Sequence, residues 1–87
     1  MDKIYKYPLY LTTEVQSVTL PEGAEIVHFA MQGDTPFIWV RVKPYGTVQQ
    51  IRQFCIRGTG HDIQDNLKHV GTVLHGLLVW HLFELEQ

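Results

Sequence analysis

The 87-residue sequence has little of what small domains use for covalent stabilisation, because it contains a single cysteine, Cys55. One cysteine excludes an internal disulfide. Cys55 lies between Phe54 and Ile56 in an apolar run, which predicts a buried structural thiol. A chain of this length buries only about 60 to 65 per cent of the surface that its unfolded form exposes. We therefore expect one domain, residues 1–87, that forms a homo-oligomer to supplement a thin core.

The sequence also lacks long apolar runs and an excess of basic residues. Its longest strongly apolar run, residues 77–80, is too short to cross a bilayer, and the N-terminus has no signal-peptide pattern. The net charge is −2, from seven lysines and arginines against nine acidic residues, which disfavours long nucleic acid as a partner. These absences predict a cytoplasmic protein without a membrane partner. A small anionic ligand stays compatible with this charge, because it needs only a few local cations.

What the sequence has in abundance is period-two patterning. Its β-rich runs are separated by turn residues, and no convincing helical period is present. Two such runs flank a turn at residues 32–36, which predicts a β-hairpin over residues 25–43. Residues 68–74 and 77–85 predict a second hairpin, joined at His75 and Gly76. The fold class predicted is all-β, a small antiparallel barrel or sandwich of about six to seven strands.

The alternation also predicts which side chains face the core. On the second arm of the first hairpin, the aliphatic face consists of Ile38, Val40 and Val42. Trp39 and Arg41 then stand on the opposite face, beside His28 if the register pairs them. On the first arm, the pattern places on the core face Val27, Phe29 and Met31, and on the other Ile26, His28 and Ala30. Residues 77–85 are apolar on both faces, which predicts a strand covered by a second layer or by a partner subunit.

Five histidines raise the question of a metal site or of acid–base catalysis. Zinc sites use closely spaced ligand pairs, and no such spacing is present, so no metal and no cofactor are expected. His69 and His75 share a strand face if no bulge intervenes, but at about 20 Å apart they cannot share an ion. His61 and His69 could approach each other as an acid and a base, with structural imidazoles as the alternative. No complete catalytic set is visible, so an enzyme is the less favoured class.

The segment at residues 57–62 combines two glycines with a guanidinium, a hydroxyl, an imidazole and a carboxylate. Glycines allow successive N–H groups to point into one concavity that suits an anion, although the same residues also close an ordinary strand end. A base could stack on Trp39, Tyr45 or Trp80. The two tryptophans are equally consistent with core or interface residues. The predicted ligand-binding residues, for a small anionic nucleotide, are Arg57, Gly58, Thr59, Gly60, His61, Trp39, Arg41 and His69.

Several stretches carry a resemblance to known proteins: KYPL at residues 6–9, LPEGAEI at 20–26, GTGH at 58–61, HVGT at 69–72 and WHLFE at 80–84. On the basis of these motifs, the sequence resembles a family of small uncharacterised phage and prophage proteins over nearly its whole length. That family has no established activity, and the resemblance implies a phage setting inside an infected bacterial cell. Small phage proteins that act against host immunity include oligomeric sponges that sequester nucleotide signals.

Three functions follow as hypotheses. The first is a phage anti-defence protein that binds and sequesters a nucleotide immune signal, of the cyclic oligonucleotide or cyclic ADP-ribose type, without cleaving it. The second is a phosphodiesterase that cleaves such a signal with His61 and His69. The third is a protein-binding module or a minor structural phage component. The first hypothesis explains hydrogen-bond donors beside aromatic residues and requires no complete catalytic set.

Overall fold

The computed structural model describes residues 1–44 and 48–86, which form seven strands and no helix. The strands are β1 (Lys3–Pro8), β2 (Gln16–Pro21), β3 (Glu25–Gln32), β4 (Thr35–Val42), β5 (Gln49–Gly58), β6 (Leu67–His75) and β7 (Leu78–Leu85). A three-stranded sheet has the order β1-β4-β3 and a four-stranded sheet the order β2-β5-β7-β6, with antiparallel pairing throughout. The all-β prediction is confirmed, and the two sheets form a sandwich rather than a closed barrel. The described residues include no helix with the length and hydropathy needed to cross a membrane.

The hydrophobic core lies between the inner faces of the two sheets. Because successive side chains of a strand point to opposite faces, β4 buries alternate residues, and these are the predicted Ile38, Val40 and Val42. The core cluster comprises Leu9, Leu20, Ala24, Phe29, Ile38, Val40, Val42, Phe54, Ile56, Val73 and Leu82. Burial of one large apolar side chain contributes roughly 1.5 to 3 kcal/mol. The core therefore holds the sheets together and fixes which face of each strand is turned outward.

Two-residue turns close both predicted hairpins. β3 and β4 are joined by Gly33 and Asp34, and β6 and β7 by Gly76 and Leu77. The two glycines have φ values of 59° and 60°, at the position where a type II′ hairpin turn requires a positive φ. A side chain would be strained there, so these glycines help to set the register of both hairpins.

A β-bulge in β3 changes the faces predicted for its first residues. The register shifts between Ile26 and His28, so Val27 is the extra residue. An inserted residue reverses the alternation on one side of the bulge. Ile26 therefore packs against the core and Val27 is exposed, and the prediction that placed them on the opposite faces is wrong. The prediction holds beyond the bulge, where Phe29 is buried.

A second bulge separates the two histidines of β6. The register shifts between His69 and Gly71, with Val70 as the extra residue. As a result, His69 is on the outer face of the sheet, whereas His75 faces the inner side, where the Trp80 indole donates to it. The regular strand that would have placed both histidines on one face is therefore not present.

β7 is a central strand, between β5 and β6, which accounts for its apolar character. Leu82 on its inner face is fully buried in the core, and Phe83 on its outer face is only 8% exposed beside Cys55, its partner on β5. The second layer that the sequence predicted therefore covers the inner face. Cys55 is buried as predicted, and burial raises the pKa of its thiol, although the charge of Arg57 opposes this effect.

One end of the sandwich contains an ion pair that the sequence pattern did not predict. Arg52 on β5 donates to both carboxylate oxygens of Glu84 on β7, at 2.6 and 2.7 Å, and to the carbonyl of Ala24 at 2.6 Å. The two side chains are only 18% and 22% exposed. The carboxylate raises the pKa of Arg52, because it stabilises the charged guanidinium. The pair thereby connects two strands of one sheet to the turn between β2 and β3.

Candidate functional site

The predicted glycine-rich segment begins where β5 ends and folds back on itself. The Gly58 carbonyl accepts the N–H of His61 at 3.1 Å, and Gly60 has a φ of 93°, as the third residue of a type II turn requires. The Gly58 N–H donates to His61 Nδ1 at 2.9 Å, which folds the ring over the glycine. A Cβ at Gly58 would lie 3.1 Å from His61 Cε1 and 3.4 Å from Trp80 Cζ3. A glycine at this position therefore lets the imidazole lie beside an indole.

This turn forms one wall of a cleft of about 450 Å³. The other wall is the start of β7, because Gly58 and Trp80 are paired across the sheet. The cleft is lined by Gly58, Thr59, His61, Leu77, Leu78, Val79 and Trp80. Outside the strand ladders, the hydrogen bonds of the described residues include none from the backbone N–H of Gly60, which leaves a donor at the turn. The volume lies within the range of small-molecule sites, roughly 300 to 1,000 Å³.

Trp80 is the predicted stacking residue that the structure brings to the turn. Its Nε1 donates to His75 Nδ1 at 3.4 Å, and His75 Nε2 lies 2.9 Å from the carboxylate of Asp34 in the β3–β4 turn. The indole also packs against the core cluster, so it is held from two sides. Tyr45, a further predicted stacking residue, lies outside the described residues.

Arg57 uses its guanidinium to connect two loops. Its Nη1 donates to the carbonyl of Thr13 at 2.7 Å, its Nη2 to Gln64 Oε1 at 3.2 Å and its Nε to the carbonyl of Asp62 at 3.3 Å. These bonds fasten the segment that follows the turn to the loop before β2. Because most of its N–H donors are engaged within the protein, Arg57 supports the turn. A direct contact between Arg57 and a ligand stays a prediction.

His69 belongs to a chain of hydrogen bonds that the sequence analysis did not predict. His69 Nε2 lies 2.9 Å from Thr72 Oγ1, which lies 2.9 Å from His81 Nδ1. His81 Nε2 lies 2.9 Å from Thr59 Oγ1. The two imidazole centroids are 6.3 Å apart, and His69 meets the ring of Phe83 edge-on at 5.5 Å. The chain therefore runs from β6 through β7 to a residue that lines the cleft.

The bulge at Val70 explains why the sequence did not predict this chain of hydrogen bonds. Residues three apart in a regular strand point to opposite faces, so His69 and Thr72 share the outer face only because Val70 is inserted between them. Thr72 is in turn paired with His81. Gly71 is the one local signal, because a glycine inside a strand often marks a bulge. The pairing of Thr72 with His81 across the two strands has no comparable signal in the sequence.

Trp39 and Arg41 lie on the outer face of the three-stranded sheet. Trp39 is paired with His28, with ring centroids 5.4 Å apart, which confirms the predicted arrangement of these side chains. Arg41 Nε donates to the Asp2 carboxylate at 2.8 Å, and this bond, followed by one from Lys43, lowers the pKa of Asp2. Their face is turned away from the four-stranded sheet, so the structure does not bring Trp39 and Arg41 to the cleft.

His61 and His69 are held in different surroundings. His61 bonds within the turn, whereas His69 bonds to Thr72, and no hydrogen bond or ring contact joins the two histidines in the described part of the chain. His81 is the imidazole that lies beside His69. Across residues 1–44 and 48–86, no group of three or more histidine, cysteine or acidic side chains is arranged to hold a metal ion.

Comparison with known proteins identifies a family but no relative of known activity. No curated protein and no solved structure matches the chain. A family described as "Domain of unknown function (DUF7352)" matches residues 1–87, which is the whole chain. The chain therefore belongs to the DUF7352 family.

Proposed function

We propose that the protein binds a small anionic nucleotide in the cleft between residues 58–61 and β7 and holds it without cleaving it. The observation that supports this proposal is the convergence of Thr59, His61 and Trp80 on one cleft. Because the Gly58 N–H donates to His61 Nδ1, the proton of the neutral ring is on Nε2, which is free to donate to a ligand oxygen. The cleft thus combines donors with an aromatic ring.

The lining of the cleft favours a phosphate group joined to a planar base. None of its lining residues is acidic, and the turn offers the N–H group of Gly60 to an anion. We expect a base to stack on the indole of Trp80, which lines the cleft, and such stacking contributes roughly 1 to 3 kcal/mol per base. The apolar wall formed by Leu77, Leu78 and Val79 completes a site for a ligand that is charged at one end only.

In the phage setting, this binding would sequester a cyclic oligonucleotide or cyclic ADP-ribose signal in the cytoplasm of an infected cell. A sponge leaves its ligand uncleaved, which fits a cleft where, within the described residues, no second imidazole is bonded to His61. Cleavage by His61 and His69 is less well supported, because the two rings are in different surroundings.

The test of the proposed function is recovery of the ligand. The protein is incubated with a panel of cyclic dinucleotides, cyclic trinucleotides and cyclic ADP-ribose isomers, then denatured, and the released ligand is chromatographed. Intact ligand supports sequestration, cleaved ligand supports the phosphodiesterase, and no binding leaves the protein-binding module. We expect Thr59→Val to weaken binding about tenfold, as loss of one hydrogen bond to a charged group does. Arg41→Ala is the matched control and should bind like the parent, because Arg41 lies on the other sheet.

We also propose that copies of the chain associate through the tip of the β6–β7 hairpin. Leu74, Leu77 and Leu78 are exposed there, and exposed apolar side chains on a small domain mark interaction sites. Leu77 and Leu78 also line the cleft, so association at this tip would cover one side of the ligand site. Light scattering at high micromolar concentration should give a multiple of the 10.1 kDa chain mass. Leu74→Glu, which does not alter the cleft lining, should reduce that mass. A monomer mass for the parent would reject the association. Trp80 is unsuitable for this test, since it packs against the core.

A further inference from the structure

His81 is held between two hydroxyl groups. Its Nε2 lies 2.9 Å from Thr59 Oγ1 and its Nδ1 lies 2.9 Å from Thr72 Oγ1, which also lies 2.9 Å from His69 Nε2. A hydroxyl can donate and accept, and a neutral imidazole has one donor and one acceptor. The hydrogen bonds of this chain can therefore all point towards Thr59 or all point away from it.

Thr59 is one of the residues that line the cleft, and the direction of the hydrogen-bond chain decides whether its hydroxyl has a proton left to donate. When His81 Nε2–H donates to Thr59 Oγ1, the hydroxyl proton of Thr59 is free to donate to a ligand. In the opposite direction Thr59 donates to His81 and presents only lone pairs. An additional proton on either ring makes His81 Nε2–H donate to Thr59. A charged His81 donates from both ring nitrogens, to Thr59 and to Thr72, whereas a charged His69 donates to Thr72, which then donates to His81 Nδ1. A phosphate oxygen, which can only accept, selects this same direction.

The residues paired with His81 across the sheet include no carboxylate that would balance such a proton. These partners are Arg57 on β5 and Thr72 on β6, and the other nearby imidazole is His69. Cys55, two residues before Arg57 on β5, is buried, and burial raises the pKa of its thiol, so the thiol is neutral near pH 7.

His69 lines a second groove together with Glu25 and with Glu84, whose carboxylate is already paired with Arg52. An anion in the cleft would supply a negative charge near Thr59, where this chain of hydrogen bonds ends.

We infer that His81 is a positioning residue that makes the Thr59 hydroxyl a donor, and that an anionic ligand enters the cleft together with one proton shared by His69, Thr72 and His81. This inference rests on the proposed function and adds its regulation: binding is tighter at lower pH. Where one full proton is taken up, the affinity falls by up to about tenfold for each pH unit of increase.

Calorimetry in two buffers of different ionisation enthalpy tests the proton uptake, with the cyclic dinucleotides and cyclic ADP-ribose isomers of the panel as probes. The parent should take up close to one proton on binding. His81→Gln should bind more weakly and without proton uptake, and Thr72→Ser should retain the uptake that Thr72→Val loses. His61→Gln controls for the other imidazole of the cleft and should retain the pH dependence. Unchanged uptake in His81→Gln, or its loss only in His61→Gln, would overturn the inference.

A measurement without ligand separates this inference from the proposed function. Nuclear magnetic resonance of the histidine Cε1 protons should show that His69→Gln shifts the titration midpoint of His81 and that Thr72→Val does the same. Independent titration of the two rings would overturn the shared proton. If no panel nucleotide binds, the proposed function fails, whereas coupled titration of His69 and His81 in that sample still supports the chain of hydrogen bonds.

Discussion

Replacement of Gly71 by valine should lower the free energy of unfolding by about 2 to 3 kcal/mol, as overpacking of a well-packed core does. A Cβ at Gly71 would lie 3.2 Å from the Cβ of Phe29 and 3.6 Å from its Cδ2. Phe29 is only 6% exposed, and its Cβ is attached directly to the main chain of β3, so it cannot rotate away. The two sheets would have to separate at this point. Urea denaturation of parent and variant measures the loss.

Gly33→Ala is a suitable control for the Gly71 variant. Gly33 has a φ of 59° but no neighbouring atom within 4 Å of the added Cβ, so its replacement tests backbone strain without a steric contact. That strain costs roughly 1 to 2 kcal/mol. Gly71→Ala should fall between the parent and Gly71→Val. A Gly71→Val protein as stable as the parent would mean that β3 and β6 do not pack as closely as described.

Gly58→Ala should weaken nucleotide binding by about ten- to a hundredfold, equivalent to roughly 1.4 to 2.8 kcal/mol. The added Cβ would lie 3.1 and 3.2 Å from two atoms of the His61 ring and 3.4 Å from Trp80. His61 is exposed, so we expect its ring to move outward and to give up the bond from the Gly58 N–H. The cleft then loses a donor, while the free energy of unfolding should change by only about 1 kcal/mol.

A double variant shows whether Gly58 acts through His61. If it does, Gly58→Ala combined with His61→Ala should bind no more weakly than His61→Ala alone, because the second change removes the group that the first displaces. The affinities are measured with the nucleotides of the panel, alongside denaturation of each variant. Fully additive losses would show that Gly58 has a role independent of the imidazole. Parent-like binding by Gly58→Ala would remove the turn from the site.

Much of the fold could be predicted because its causes are local. Alternation in β4 is a property of the strand itself, so the buried face of Ile38, Val40 and Val42 and the outward position of Trp39 followed from the sequence. Turn glycines act within a few residues, which is why both hairpins were found. Cys55 was predicted as buried from its apolar neighbours.

Of the predicted ligand-binding residues, the sequence could group only those at residues 58–61. Which other residues lie near them in space depends on the fold. The turn at residues 58–61 was found because its glycines and side chains are adjacent in sequence. Trp39 and Arg41 were added to it on their chemistry alone, and they lie on the other sheet. Arg57 was expected to face a ligand, but its bonds to Thr13 and Gln64 depend on where two separate loops meet.

The sequence by itself determined the strands, their turns and the faces of regular stretches, since each depends on the conformation of a few consecutive residues. The tertiary structure alone decided the register between strands, including the bulges at Val27 and Val70. Register depends on the packing of the whole inner face, and a shift of one residue exchanges the two faces of a strand. For that physical reason the pairing of Gly58 with Trp80, and the chain from His69 to Thr59, emerged only from the folded molecule.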